Sequence, residues 1–184
     1  SIWDDYNATH PPETPMAENK PKSILITGCS SGIGYTAAHM LHKRGWQVFA
    51  SARDAAAVER LKQEGLNAVQ LDLNETDSIR MALDWVLKQT GGTLDALFNN
   101  GAFAIPAALE DLSRVALAYQ IDTGLLGWHE LTMAVLPVMR AQGHGRIVNT
   151  GSVMGLSAMR FRGAYCTTKH ALEGWSDVLR LELA

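Results

Sequence analysis

Short apolar runs alternate with longer stretches of helical spacing from Ser23 onward. "SILIT" (23–27), "QVFASA" (47–52), "AVQLDL" (68–73), "DALFNN" (95–100) and "RIVNTG" (146–151) are bounded by turn residues, the pattern of strands buried on both faces. Between them, Ile33, Ala37, Met40 and Leu41, then Val58 and Leu61, then Ile79, Leu83, Val86 and Leu87 recur at helical spacing and predict amphipathic helices. Such alternation implies right-handed crossovers, and so an α/β architecture with a doubly wound parallel sheet and helices on both faces. Ligands of these sheets bind beyond the carboxyl ends of the strands, where strand order reverses. The residues just after each strand are therefore the first candidates for a site.

Residues 1–22 break the pattern. They carry Pro11, Pro12, Pro15 and Pro21 with no hydrophobic period, which predicts a flexible leader ahead of one folded domain at 23–184. A hydrophobic content of 47% in 184 residues supplies one substantial core. With a net charge of -3 and no clustered Lys/Arg run, a nucleic-acid surface is disfavoured and small-molecule chemistry is favoured. Cys29 and Cys166 lack the spacing of a disulfide framework or a metal site, His39, His42, His129, His144 and His170 show no ligand clustering, and no metal is expected. No apolar stretch reaches the roughly 18 residues of a membrane span, so a cytoplasmic protein is expected. Met133, Val135, Val138 and Met139 lie along one helix and predict core or a helix-pairing interface.

"TGCSSGIG" (27–34) follows the first strand. Gly28 permits a sharp turn, Gly32 lets the backbone approach a ligand, and Gly34 lets the next helix pack tightly on the sheet. The helix amides that follow favour an anion, with a dinucleotide pyrophosphate the natural candidate. Thr27, Gly28, Ser30, Ser31, Gly32, Ile33 and Gly34 are thus assigned to cofactor binding. Arg53 closes the second strand, where an acidic residue favours NAD and an arginine can pair with the 2′-phosphate of NADP. NADP is expected, with NAD possible; Asp54 either caps the next helix or turns toward the ribose. Asp72, beside Leu73, is placed to accept from an adenine amino group. "NNGA" (99–102) puts Asn99 and Gly101 where a ribose approaches.

Tyr165 and Lys169, four residues apart, share a helix face. A phenol donates a proton poorly near neutrality unless a nearby cation stabilises the phenolate, and an ammonium has the right sign. Ser152, at the end of the fifth run, can polarise a carbonyl or developing alkoxide.

These motifs together resemble the short-chain dehydrogenase/reductase family. Its TGxxxGxG motif is matched by Thr27, Gly28, Gly32 and Gly34, its NNAG by "NNGA", its catalytic Ser by Ser152, and its YxxxK by "YCTTK". "LITGCSSGIG" and "ALEGWSDVLRLEL" look most like the subgroup containing 17β-hydroxysteroid and retinol dehydrogenases and related bacterial oxidoreductases. The resemblance implies a Rossmann-like fold and reversible hydride transfer between NADP and an alcohol or carbonyl of an apolar substrate. In it Tyr165 gives or takes the proton, Ser152 orients the oxygen, and Lys169 holds the nicotinamide ribose and assists Tyr165. It also implies a homodimer or homotetramer.

Three departures qualify that expectation. Gly124 stands where the family carries an Asn that supports a proton relay to the Lys, and Gly101 and Ala102 are exchanged. The chain ends at "LRLELA", inside the helix bearing Tyr165, where family members continue through two more strands and a substrate loop; a C-terminally incomplete domain is expected. These departures keep a second expectation open, an NADP-binding scaffold or redox sensor with little turnover.

Overall fold

In β1 (Ser23–Ile26) successive side chains point to opposite faces, Leu25 to one and Ile24 and Ile26 to the other, and all three are buried. That double burial requires helices on both sides of the sheet. The strands β1, β2 (Gln47–Ala52), β3 (Asn67–Gln70), β4 (Ala96–Asn99) and β5 (Arg146–Asn149) pair in parallel in the order β3-β2-β1-β4-β5. The computed structural model describes residues 20–184; residues 1–19 of the expected leader lie outside the described residues.

The helices are α1 (Gly32–Lys43), α2 (Ala55–Gln63), α3 (Thr76–Thr90), α4 (Arg114–Ile121), α5 (Gly127–Gln142) and α6 (Gly163–Glu182). Leu25, Phe49 and Leu97 pack with Ile79, Leu83 and Val86 of α3, with Trp128, Leu131 and Val135 of α5, and with Leu172 of α6. On the other face Ile24, Ile26, Val48 and Ala50 pack with Ala38 of α1 and with Val58 and Leu61 of α2. Each Leu or Ile fully buried in these clusters contributes about 1.5–3 kcal/mol relative to exposure.

Several expectations are corrected. The buried face of α1 is Gly34 and Ala38, whereas Ile33 and Met40 are 63% and 49% exposed, because the helix approaches the sheet on its smallest residues. The strands end at Ile26, Gln70, Asn99 and Asn149, earlier than the apolar runs suggest: Thr27, Leu71 and Thr150 each add one last backbone bond to the neighbouring strand before the chain turns away, and Asn100 N–H turns to Thr27 Oγ1. β3 and β5 are not buried on both faces, since each lies at a sheet edge; Val148 is 52% exposed. Within α5, Val135 and Met139 are core residues, and Met133 faces outward. No described helix is long and apolar enough to cross a membrane.

The chain leaves β1 one way and reaches β4 on its other side. The point where strand order reverses thus lies between the carboxyl ends of β1 and β4, directly under the glycine turn.

Candidate active site

Gly28 has φ +72, and a Cβ there would lie 2.5 Å from Gly101 Cα, so the turn after β1 and the loop after β4 touch backbone to backbone. Thr27 clamps the two: its Oγ1 accepts from Asn100 N–H and Gly101 N–H, both at 2.9 Å. Asn100 returns the contact, its Nδ2 donating to Thr27 O (3.1 Å) and Gly28 O (3.2 Å). Beneath them Gly34 leaves no space, since a Cβ there would stand 2.4 Å from Gly28 O. The first turn of α1 carries no acidic residue, and its N-cap Ser31 makes no side-chain cap bond. The orphan N–H groups of that turn are therefore available to an anion.

Two contiguous parts of one cleft open above this turn. One, of about 280 Å³, is lined by Thr27, Gly28, Ser30, Arg53, Asp72, Leu73, Gly101 and Tyr119 among others. The other, of about 390 Å³, is lined by Gly28, Ser30, Ser31, Ile33, Asn100, Gly101, Thr150, Tyr165 and Lys169 among others. The cradle fits a dinucleotide: a pocket on each side of a bare glycine turn, with free helix amides at their junction. The larger cavity of about 770 Å³ lies along the open edge of β5 and includes none of the sequence-predicted site residues.

In the first part, Arg53 Nη1 donates to Tyr119 Oη at 2.7 Å, and Gln70 Nε2 holds Arg53 O at 2.9 Å. The Tyr119 ring packs on Phe103 with centroids 5.1 Å apart. Asp72 Oδ1 accepts from Asn74 N–H at 3.0 Å, and Asn74 Oδ1 accepts from Thr123. Asp54 caps α2, accepting from Ala57 N–H at 3.2 Å, which resolves its role in favour of the cap.

In the second part, Lys169 is buried, although its chain neighbour across one turn, Tyr165, is half-buried at the cleft. Its Nζ donates to Thr150 O (2.6 Å) and lies 5.7 Å from the Tyr165 ring centroid and 4.6 Å from that of Trp128. Thr150 Oγ1 in turn donates to Asn100 Oδ1 at 3.3 Å, so one hydrogen-bonded path joins the ammonium to the glycine turn. Burial pushes the Lys169 ammonium down to about 8, opposed by the charge of Glu173 one turn on. The unfolded chain thus binds this proton more tightly than the fold between pH about 8 and 10.5, and stability from this group rises with pH across that window. Cys29, pushed up to about 12 by burial, acts in the opposite sense above pH 9. The variant comparison removes that background: the urea midpoint of Lys169→Met should lack the Lys169-dependent rise that wild type shows between pH 8 and 10.5. Parallel pH curves for the two proteins would contradict the buried ammonium.

Two predicted residues are placed differently from expectation. Asn99 does not line the cleft: it is fully buried, and its Nδ2 donates to Thr132 Oγ1 (3.1 Å) and Asn149 Oδ1 (3.0 Å). Successive residues of a strand point to opposite faces, so Asn100 takes the cleft side. Ser152 lies just outside the lining, where its Oγ accepts from Met154 N–H at 3.2 Å and starts the short helical turn Val153–Gly155 against α6. Gly124 sits in a π-helical segment, Asp122–Leu126, that leads into α5, and a Cβ there would lie 2.7 Å from Thr168 Cγ2. Sequence reasoning missed Asn100, Tyr119, Trp128 and Thr150; only Asn100 had a signal, as the second Asn of "NNGA".

Comparison with known proteins shows the family and agrees with the fold. The family profile described as short chain dehydrogenase matches residues 22–184. An uncharacterised oxidoreductase of Escherichia coli, YbbO, is 45% identical over 162 residues, covering 88% of this chain and 60% of that protein. Retinol dehydrogenase 16 of Homo sapiens is 36% identical, covering 92% of this chain and 54% of that protein. A short-chain dehydrogenase structure from Streptomyces avermitilis superposes with a TM-score of 0.84 at 32% identity, covering 89% of this chain and 61% of that one. An actinorhodin polyketide ketoreductase crystallised with NADPH gives 0.83 at 30%, covering 91% and 67%. The chain thus spans little more than half the length of these curated relatives.

Proposed function

Because the chain belongs to the short-chain dehydrogenase/reductase family, we propose that it takes part in NADP-dependent interconversion of an alcohol and a carbonyl on an apolar substrate. The observation that carries this reading is the shared cleft: Tyr165 and buried Lys169 face the space that opens onto the glycine turn. Bound NADP(H) supplies or accepts the hydride. Thr27, Gly28, Ser30, Ser31, Gly32, Ile33 and Gly34 hold its pyrophosphate end, and Asp72, Leu73 and Gly101 line the adenosine side. Asn99 supports that wall from within the sheet.

In the reductive direction Tyr165 Oη gives its proton to the carbonyl oxygen as negative charge develops there. Lys169 stabilises the resulting phenolate and donates to the ribose hydroxyls, while Thr150 O fixes the ammonium in place. Ser152 Oγ reorients from Met154 N–H to the substrate oxygen and donates to it. The exposed apolar residues Val153, Leu156, Met159 and Phe161 flank Ser152 and Tyr165, which supports an apolar substrate. Retinol dehydrogenases among the relatives point the same way. Cys29 and Cys166 are both free and buried, consistent with a reducing cytoplasm, and among the described residues no cluster of three metal-ligating side chains occurs. Assembly as a homodimer or homotetramer is part of the same proposal.

The cofactor assignment rests on Arg53 and the NADPH-bound ketoreductase relative. Arg53→Ala should raise the Kd for NADPH about tenfold, the equivalent of one charged hydrogen-bonded contact, and leave that for NADH unchanged. Isothermal titration with both nucleotides measures it, and equal effects on the two would sink the NADP preference. A second reading, an NADP-binding scaffold or redox sensor with little turnover, is favoured by Gly124, which offers no side chain to a proton relay. Incubation of the full chain with NADPH and a carbonyl panel, followed by nicotinamide absorbance, separates the two.

A further inference from the structure

Trp128 is the bulkiest fully buried side chain among the described residues, and it lies at a polar junction. Its ring face lies under the Lys169 ammonium, 4.6 Å from Nζ to centroid, and its indole N–H donates to Gly101 O at 2.9 Å. One side chain therefore touches both the candidate catalytic lysine and the loop that abuts the glycine turn. The site is built for it. The π-helical segment Asp122–Leu126 ends two residues before Trp128, and the extra residue in that turn rotates the helix that follows. Gly124, one turn earlier, removes volume where Thr168 of α6 fits in, and Trp128 supplies volume where Lys169 arrives.

We propose that Trp128 is a positioning residue for Lys169: its π face holds the ammonium in the dry cleft, and its N–H locks the loop after β4 at the matching distance. This rests on the catalytic reading of Tyr165 and Lys169. A lysine stripped of water loses its favourable hydration, and an aromatic face is one of the few neutral surfaces that attract a cation there. The groups around Nζ make the need plain. From its own helix come Tyr165 and Glu173; from the segment after β5 comes Thr150 O; from α5 comes Trp128, a neutral ring. Among the described residues Glu173 is the one charged group that raises the proton affinity of Lys169, which burial lowers to about 8.

Removal of the ring should lower the proton affinity of Lys169 further. In the full chain, Trp128→Leu is expected to move the Lys169 limb of the kcat–pH profile down by about 1 unit, and Trp128→Phe by less than half as much, since phenyl is the weaker cation host. Loss of packing alone would lower the urea midpoint and depress kcat evenly across pH without moving the limb; that result overturns the proposal, as does an equal shift in the two variants. A second measurement needs no change at Trp128. Tryptophan emission of wild type should titrate near pH 8 and that of Lys169→Met should not; emission curves that coincide overturn the proposal. Should Tyr165→Phe and Lys169→Met retain full turnover, the catalytic reading fails, yet the emission titration still reports the contact between Trp128 and Lys169.

Discussion

Tyr165→Phe should lower kcat for carbonyl reduction about 10³-fold while NADPH affinity falls by no more than about tenfold, the worth of one hydrogen bond to the ribose. The substitution removes one oxygen and keeps the ring, so the half-buried wall of the cleft and the 5.7 Å approach of Lys169 Nζ to that ring persist. What is lost is the proton donor, and a positioned general acid is worth about 10²–10⁴ in rate. Steady-state kinetics by nicotinamide absorbance and a binding titration on the same preparation read the two quantities separately. Turnover retained within tenfold would show that another group moves the proton; binding with no turnover in wild type and variant alike would support the scaffold reading.

The second large effect is structural. Gly34→Ala places a Cβ 2.4 Å from Gly28 O and 2.6 Å from Asn100 Nδ2, and neither neighbour is free to retreat. Gly28 O accepts from Asn100 Nδ2, whose Oδ1 accepts from Thr150, so a shift at one point propagates along the path that ends at Lys169. Overpacking of this kind costs about 1–3 kcal/mol, which lowers Tm by roughly 2–10 °C in a domain of this size. NADPH affinity should fall by more than tenfold as the turn opens, about 1.4 kcal/mol of lost contact. Gly174→Ala is the control: apart from its chain neighbours and its own helix backbone, no atom lies within 4 Å of the added methyl, and alanine in a helix interior stabilises by up to about 1 kcal/mol. Equal Tm values for Gly34→Ala and wild type would refute the tight contact between α1 and the turn.

Much of this arrangement is legible in the chain, because hydrophobic period and motif order agree. β2 spans the same residues as its apolar run, and Val58, Leu61, Ile79, Leu83 and Val86 are buried as their spacing implies. The family resemblance holds over residues 22–184. The misses share a physical origin. On α1 Ile33 and Met40 lost the core to Gly34 and Ala38 while Ala37 and Leu41 pack against it, since close approach to the sheet favours small side chains over hydrophobic ones. Asn99 and Asn100 are chemically identical, and only the strand's alternation decides which faces the cleft. The contacts of Arg53 with Tyr119 and of Lys169 with Trp128 join residues far apart in sequence, and no local pattern encodes them. The π-helical turn is equally silent, since a single added residue leaves no period to detect.

The central claim is that one continuous cleft carries a dinucleotide from Arg53 across the glycine turn to Tyr165 and Lys169. A crystal structure of the full chain grown with NADP tests it most directly. The expected result is a pyrophosphate against the amides of residues 28–34, with the nicotinamide ribose within hydrogen-bonding distance of Tyr165 Oη and Lys169 Nζ. A dinucleotide bound elsewhere, or bound with those two side chains turned away from it, would contradict the account.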